Sequence, residues 1–352
     1  MDSDFIFGPK FSGQPFWLPL LTGSGRAHPA TSGMTKSVAI IGAGVSGLTC
    51  GVFFAEHGFS VEIFAELVGS QATSGAAGAL WFPYDAQPVD KVIPWALATY
   101  KALFDLAKDP VAGVSVLELR QYCRVGKIEI PSWTSSPMFA GAVERSLDIS
   151  GSHFSSGFSL RVPLMDTTIY LDYLADRFQK SGGEIKSGVR FDRIEAVDRK
   201  FDFVINCAGI GARELAGDAD LEPHRGQVAI VPKPDNLSCA VVCDDAPLMY
   251  AIPRTNDCVL GGTNDVSDNL SPDPETTKTI VVECSRVLNI DNSRVLRERV
   301  GLRPFRRSGV RLETERLPDG RTVLHNYGHG GSGFTVSWGC AQAVFELAKT
   351  AV

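Results

Sequence analysis

The sequence predicts an α/β protein of interleaved domains, and three features of its 352 residues carry that expectation. A strand–helix–strand unit opens near residue 38, and a glycine-rich turn into a helix follows residue 325. Between them, strand-like stretches return to the first unit from a mixed α+β region.

Lys36-Ser37 leads into Val38-Ala39-Ile40-Ile41, an apolar, largely β-branched run suited to a buried parallel strand. Gly42-Ala43-Gly44-Val45-Ser46-Gly47 follows, then a helix over 48–57 closed by Gly58. A second strand over 60–64 ends at Ala65-Glu66. In such a unit Gly42 permits the tight turn, Gly44 lets a pyrophosphate approach the backbone, and Gly47 lets helix and strand pack closely. The amides at the helix start, including those of Val45 and Ser46, face the phosphates. Glu66, nineteen residues past Gly47, is placed to accept a hydrogen bond from a ribose hydroxyl. A glycine-rich turn by itself also arises for packing alone. Strand, helix, second strand and terminal acid together mark a Rossmann-like dinucleotide site, for either NAD or FAD.

The far end of the chain discriminates between the two. His325-Asn326-Tyr327-Gly328-His329-Gly330-Gly331-Ser332-Gly333-Phe334-Thr335 precedes a helical pattern running to about 349. Five glycines within fifteen residues are costly unless backbone must approach something closely. A helix N-terminus there sets a positive dipole where a reduced flavin builds negative charge. The alternative is a glycine-rich connection that holds no ligand.

Further elements follow the same logic. Asp166-Thr167-Thr168 caps an amphipathic helix over 169–181 that ends at Gly182-Gly183, and strands are expected over 189–191 and 203–206. Segments 34–78, 161–227 and 309–352 are assigned to the dinucleotide domain. Segments 79–160 and 228–308, with one clear helix near 92–106, are assigned to a substrate domain. Residues 1–33, rich in Phe, Pro and Gly, are expected to be a poorly ordered extension without catalytic role.

A net charge of −6, spread without single-sign blocks, argues against nucleic-acid or polybasic membrane partners and leaves a small molecule. No apolar run reaches the length of a membrane helix. The eight cysteines form no C-x-x-C pair and read as buried thiols in a reducing compartment, their even number leaving disulfides open. No metal site is expected. A cytoplasmic location is expected, since Thr350-Ala351-Val352 is not a Ser-Lys-Leu type signal.

From Met34 onward the chain resembles the D-amino-acid oxidase family. The stretches that carry the resemblance are 38–47, Ala76-Ala77-Gly78 with Trp81 and Pro83-Tyr84, and Val204-Ile205-Asn206-Cys207-Ala208-Gly209. Arg225-Gly226-Gln227, Tyr250-Ala251-Ile252-Pro253, Leu260-Gly261-Gly262-Thr263, Val300-Gly301-Leu302-Arg303-Pro304 and 325–339 complete the set in order. The resemblance implies non-covalent FAD, a chain that crosses between two domains more than once, and hydride transfer from a D-amino acid with dioxygen as final acceptor. It implies that Gly42, Gly44, Gly47, Glu66 and Val189 serve the adenosine and pyrophosphate. Ala77, Gly78, Gly330, Gly333, Phe334 and Thr335 would flank the flavin, with Thr335 near a flavin carbonyl. Arg303 would grip the substrate carboxylate beside the Tyr250 hydroxyl, and the Gly331 carbonyl would receive the amine. Homodimer formation stays open.

An arginine suits a carboxylate because its planar fork donates two parallel hydrogen bonds and stays charged. Without the resemblance, Arg303 reads as a surface residue and Tyr250 as half-buried core. His325 and His329 read as local loop hydrogen-bonders, since direct hydride transfer needs no protein base. Arg306, Arg307 and Arg311 read as a solvated or salt-bridged edge. Departures from the family bear on substrate and gate: Ala246 stands where some members carry a lid tyrosine, and the lid segment 242–249 is short. Ser332 replaces an aromatic, and Tyr84 replaces the histidine of D-aspartate oxidases. Arg254 is expected to have a loop-surface role. Neutral substrates are therefore expected over acidic ones. The rivals are a D-aspartate oxidase, a glycine or sarcosine oxidase, a flavoprotein without oxidase activity and an NAD-dependent dehydrogenase.

Overall fold

In the computed structural model, which describes residues 35–139, 143–144, 153–289 and 294–351, the apolar run after Lys36 is an inner strand of a parallel sheet. The chain runs through β1 (Ser37–Ala43), α1 (Val45–Glu56), β2 (Ser60–Val68), α2 (Val89–Leu106), β3 (Val114–Cys123), β4 (Val143–Glu144) and β5 (Ser156–Met165). It continues through α3 (Tyr170–Lys180), β6 (Glu184–Ser187), β7 (Phe203–Asn206), α4 (Ala212–Leu215), β8 (Leu221–Pro232), β9 (Ala240–Cys243), β10 (Met249–Pro253), β11 (Asp257–Gly261) and β12 (Asp265–Val266). α5 (Pro274–Leu288), β13 (Arg297–Arg306), β14 (Arg311–Arg316), β15 (Thr322–Tyr327) and α6 (Gly333–Thr350) complete it. The expected extension 1–33 lies outside the described residues.

Six strands form the first sheet in the order β14-β15-β7-β1-β2-β6, parallel throughout except for β14. Val38, Ala39 and Ile40 are wholly buried, as a parallel strand covered on both faces requires. Helices α1, α3 and α6 pack together on this layer. The second sheet follows the order β12-β8-β11-β10-β9-β3-β5-β4, with β13 also paired to β8. Its pairs are antiparallel except β3 with β9. Alternation sorts its two faces: Val231, Cys243, Met249, Ala251 and Leu260 pack with Ile280 and Cys284 of α5, while Gln121, Val242, Tyr250 and Ile252 line a cleft.

Several expectations are corrected. The segment boundaries at 161 and 228 fall inside β5 and β8, which stay whole because every residue of both is held in the large sheet's ladders or their flanks. The helix near 92–106, assigned to the substrate segment, packs on α6: the Gly339 amide donates to Thr99 Oγ1 at 2.9 Å. A Cβ on Gly339 would stand 2.2 Å from the Trp95 carbonyl oxygen, so glycine permits this approach. No strand forms over 189–191; pairing to β2 comes from β6, and the Val189 amide still donates to the Ala65 carbonyl at 3.1 Å. All eight cysteines are buried and free. Among the described residues no helix is long and apolar enough to cross a membrane.

Candidate active site

The turn after β1 is built from glycines for steric reasons. Gly42 has φ +104°, and a Cβ there would stand 2.4 Å from the Cys207 carbonyl oxygen. A Cβ on Gly47 would stand 1.9 Å from the Gly42 carbonyl oxygen. Gly44 is the N-cap of α1 and offers no side chain, so amides of the first turn stay open. The Val45 amide is an exception, donating to Ser74 Oγ at 3.0 Å. α6 likewise begins without a side-chain cap.

Both helix starts open onto one cleft of about 740 Å³, within the usual size range of cofactor sites. Gly42, Gly44, Val45, Ser46, Glu66, Ala77, Gly78 and Val189 line it from the parallel-sheet side. Gly330, Gly331, Gly333 and Phe334 line it at the start of α6, and Tyr250 and Arg303 from the large sheet. Two expected site residues stand apart. Gly47 is not on the cleft surface because its space is filled by the Gly42 carbonyl. Thr335 is buried, and its hydroxyl donates to the Phe82 carbonyl at 3.0 Å and accepts from the Phe82 amide at 3.2 Å, so it is spent on the chain.

At the end of the cleft beyond β2, Glu66 and Glu214 flank Arg190, whose guanidinium donates to Glu214 at 2.6 Å. At the other end, Arg303 donates to the Thr263 carbonyl and to Asn264 Oδ1, both at 3.1 Å. Its guanidinium lies over Gly226, and the Tyr250 ring lies over Gly261, its register partner. Gly226 and Gly261, whose place in their motifs carries no visible reason in the sequence, leave room for these two side chains. Burial raises the Tyr250 pKa, with Arg303 opposing, so the hydroxyl remains a donor. Burial also raises Tyr84, with the Asp244 charge adding to it.

The Ser332 hydroxyl accepts from the Tyr84 amide at 2.8 Å and donates to the Tyr84 carbonyl, tying the segment after β2 to the start of α6. His329 is buried against Asn326 Oδ1 at 2.9 Å, and burial lowers its pKa to about 4. His325 sits in β15 rather than a loop, between Asn206 and Glu315. Arg306, Arg307 and Arg311 pair with Asp218, Glu222 and Glu313 respectively. Arg254 is a correction: it is buried, not a surface residue, and holds Asp257 through two hydrogen bonds at 2.7 and 2.8 Å.

Residues 37–347 match the model of the family described as FAD dependent oxidoreductase. The chain belongs to this family. A D-amino-acid oxidase of Rubrobacter xylanophilus is 37% identical over 318 residues, covering 89% of this chain and 96% of that protein. A human D-aspartate oxidase is 32% identical over 332 residues, covering 90% and 96%. The solved glycine oxidase of Geobacillus kaustophilus shares the fold with a TM-score of 0.75 at 17% identity, covering 90% of this chain and 95% of that one.

As a member of the FAD-dependent oxidoreductases, the protein is an oxidoreductase with FAD as its cofactor. The chain's own geometry fits that group. Two helix N-termini without side-chain caps open onto one elongated lining that runs from Glu66 to Arg303. An acid at the end of β2 offers the ribose an acceptor, and the backbone at Gly44 and Gly330–Gly331 is bare where phosphate and ring would approach.

Proposed function

We propose that the protein oxidises D-amino acids, neutral ones in preference to acidic ones, to 2-oxo acids, ammonia and hydrogen peroxide. The observation that carries the reading is the pair of donors, Arg303 and Tyr250, projecting from the large sheet into the cleft that the two helix starts share. Arg303 takes the substrate carboxylate in its fork, and the protonated Tyr250 hydroxyl donates a further hydrogen bond. The Gly331 carbonyl accepts from the amine. Two fixed groups on one tetrahedral carbon leave the Cα–H bond one direction, which is how the site selects an enantiomer. Bound FAD supplies the hydride acceptor, and dioxygen restores it with release of hydrogen peroxide. The imino acid left behind takes up water to give the oxo acid and ammonia. His329, held neutral by burial, takes no part as an acid.

The preference against acidic side chains follows from the cations present. Among the described residues the cleft is lined by only two arginines, Arg303 and Arg190, and Arg190 is committed to Glu66 and Glu214. Arg254 is committed to Asp257 and does not line the cleft. A second substrate carboxylate would lose its hydration without gaining a cation, at several kcal/mol.

The test is flavin bleaching without oxygen, followed by a peroxide assay at one pH. The panel is D-alanine, D-valine, D-phenylalanine, D-aspartate, D-glutamate, glycine, sarcosine and the L-isomers. Neutral D-amino acids should lead. D-aspartate in the lead would overturn the preference, and glycine or sarcosine in the lead would overturn the substrate class.

A further inference from the structure

The wall of the cleft away from Arg303 is not apolar throughout. Asp244, directly after β9, lines the same cleft as Arg303 and Tyr250. It is exposed, and Gln121 Nε2 donates to its Oδ2 at 2.8 Å. Among the described residues no arginine or lysine forms an ion pair with it. Loss of hydration at the cleft wall, and then the Asp245 charge, push its carboxyl above the usual range against the Gln121 hydrogen bond, and its charge is felt at Tyr84. A carboxylate that faces a substrate cleft, with a hydrogen bond from Gln121 but no cation paired to it among the described residues, is a binding feature for a positive group.

Its position relative to Arg303 follows from strand register. Val228 pairs with Gly261, Gly261 with Tyr250, and Tyr250 with Val242. The paired residues stop at Gly261, Met249 and Cys243, and continuing their register past those ends brings Asp244 to the row of Gly226, the glycine beneath the Arg303 guanidinium. Three inter-strand steps, from β8 through β11 and β10 to β9, separate the two, or about 14 Å between backbones. Val242 and Leu248 line the floor between. Only a fully extended side chain of lysine or arginine length, on a substrate whose carboxylate sits at Arg303, would span that floor with a hydrogen bond at each end.

We infer that Asp244 is a specificity residue that makes long cationic D-amino acids, D-lysine and D-arginine, favoured substrates over neutral ones of equal length. The inference rests on the reading of Arg303 as the carboxylate partner. The terminal ammonium or guanidinium meets the Asp244 carboxylate, already oriented by Gln121, so little ordering is required on binding. The same carboxylate repels D-aspartate and D-glutamate.

The experiment compares kcat/KM for D-lysine, D-arginine and D-norleucine in the holoenzyme, in Asp244→Asn and in Asp244→Glu. D-norleucine matches D-lysine without the terminal nitrogen. The expected ratio of D-lysine to D-norleucine is between about twofold and fivefold, as for a favourable exposed ion pair. Asp244→Asn should bring the ratio to about one or below, and Asp244→Glu should keep it above one. A wild-type ratio below one, or a ratio unchanged in Asp244→Asn, overturns the inference while turnover of D-norleucine leaves the oxidase reading standing. Equal losses for all three substrates in Asp244→Asn overturn it in favour of a role at the α-amine. Turnover of none of the D-isomers overturns both.

Discussion

The guanidinium of Arg303 lies across Gly226 so closely that a Cβ on Gly226 would stand 2.6 Å from both Nη atoms. The two residues sit on paired strands, β13 and β8, where Gly226 faces Gly301 and Arg303 faces His224. An arginine laid flat over a strand needs a residue without a side chain beneath it. The position of the guanidinium is therefore set by a glycine distant in sequence.

Gly226→Ala should lift Arg303 out of place without unfolding the protein, because the atoms displaced are the far end of a flexible side chain. The expected result is retained flavin and a loss in kcat/KM on the order of tenfold to a hundredfold. Flavin absorbance and a steady-state peroxide assay check it. Unchanged kinetics would show that the guanidinium position does not matter to turnover.

Arg303→Ala removes the fork itself. Flavin should stay bound, while kcat/KM for D-amino acids falls by about a hundredfold, corresponding to roughly 3 kcal/mol for a lost charge-assisted contact. Turnover within about twofold of the parent would place the carboxylate elsewhere.

Gly44→Val should act on the cofactor. Even a Cβ there stands 2.9 Å from Ser74 Oγ, and the added methyls occupy the bare backbone at the start of α1. The variant should purify colourless or lose FAD readily, read as flavin absorbance per protein. Full-strength flavin would remove Gly44 from the site.

Acid should destabilise the protein partly through His329. Burial lowers its pKa from the ordinary 6.5 to about 4, so the unfolded chain holds the proton more tightly than the folded one. Its contribution is complete above about pH 6.5 and is lost as pH falls toward 4, at up to about 1.4 kcal/mol per pH unit. Burial lowers His325 in the same direction. His329→Gln should therefore reduce, though not abolish, the slope of unfolding free energy against pH at saturating FAD. Urea denaturation between these limits measures it, and an identical slope would refute the assignment.

The dinucleotide unit was legible because its determinants are local. β1, the glycines at 42, 44 and 47, α1, β2 and Glu66 lie within one short stretch whose spacing encodes turn, helix start and acid. The glycine-rich turn before α6 was legible for the same reason. What only the tertiary structure decided involves residues far apart in the chain. Thr335 spends its hydroxyl on Phe82, and Arg254 turns inward because Asp257 and Thr167 supply acceptors that sequence position did not reveal. Gly226 and Gly261 acquire a reason only when Arg303 and Tyr250 are laid over them by strand pairing. Asp244 comes to line the same cleft as Arg303 because the order of strands in the large sheet places β9 and β13 on one layer. Local spacing sets backbone conformation, whereas side-chain environment in a sheet is set by which strands become neighbours.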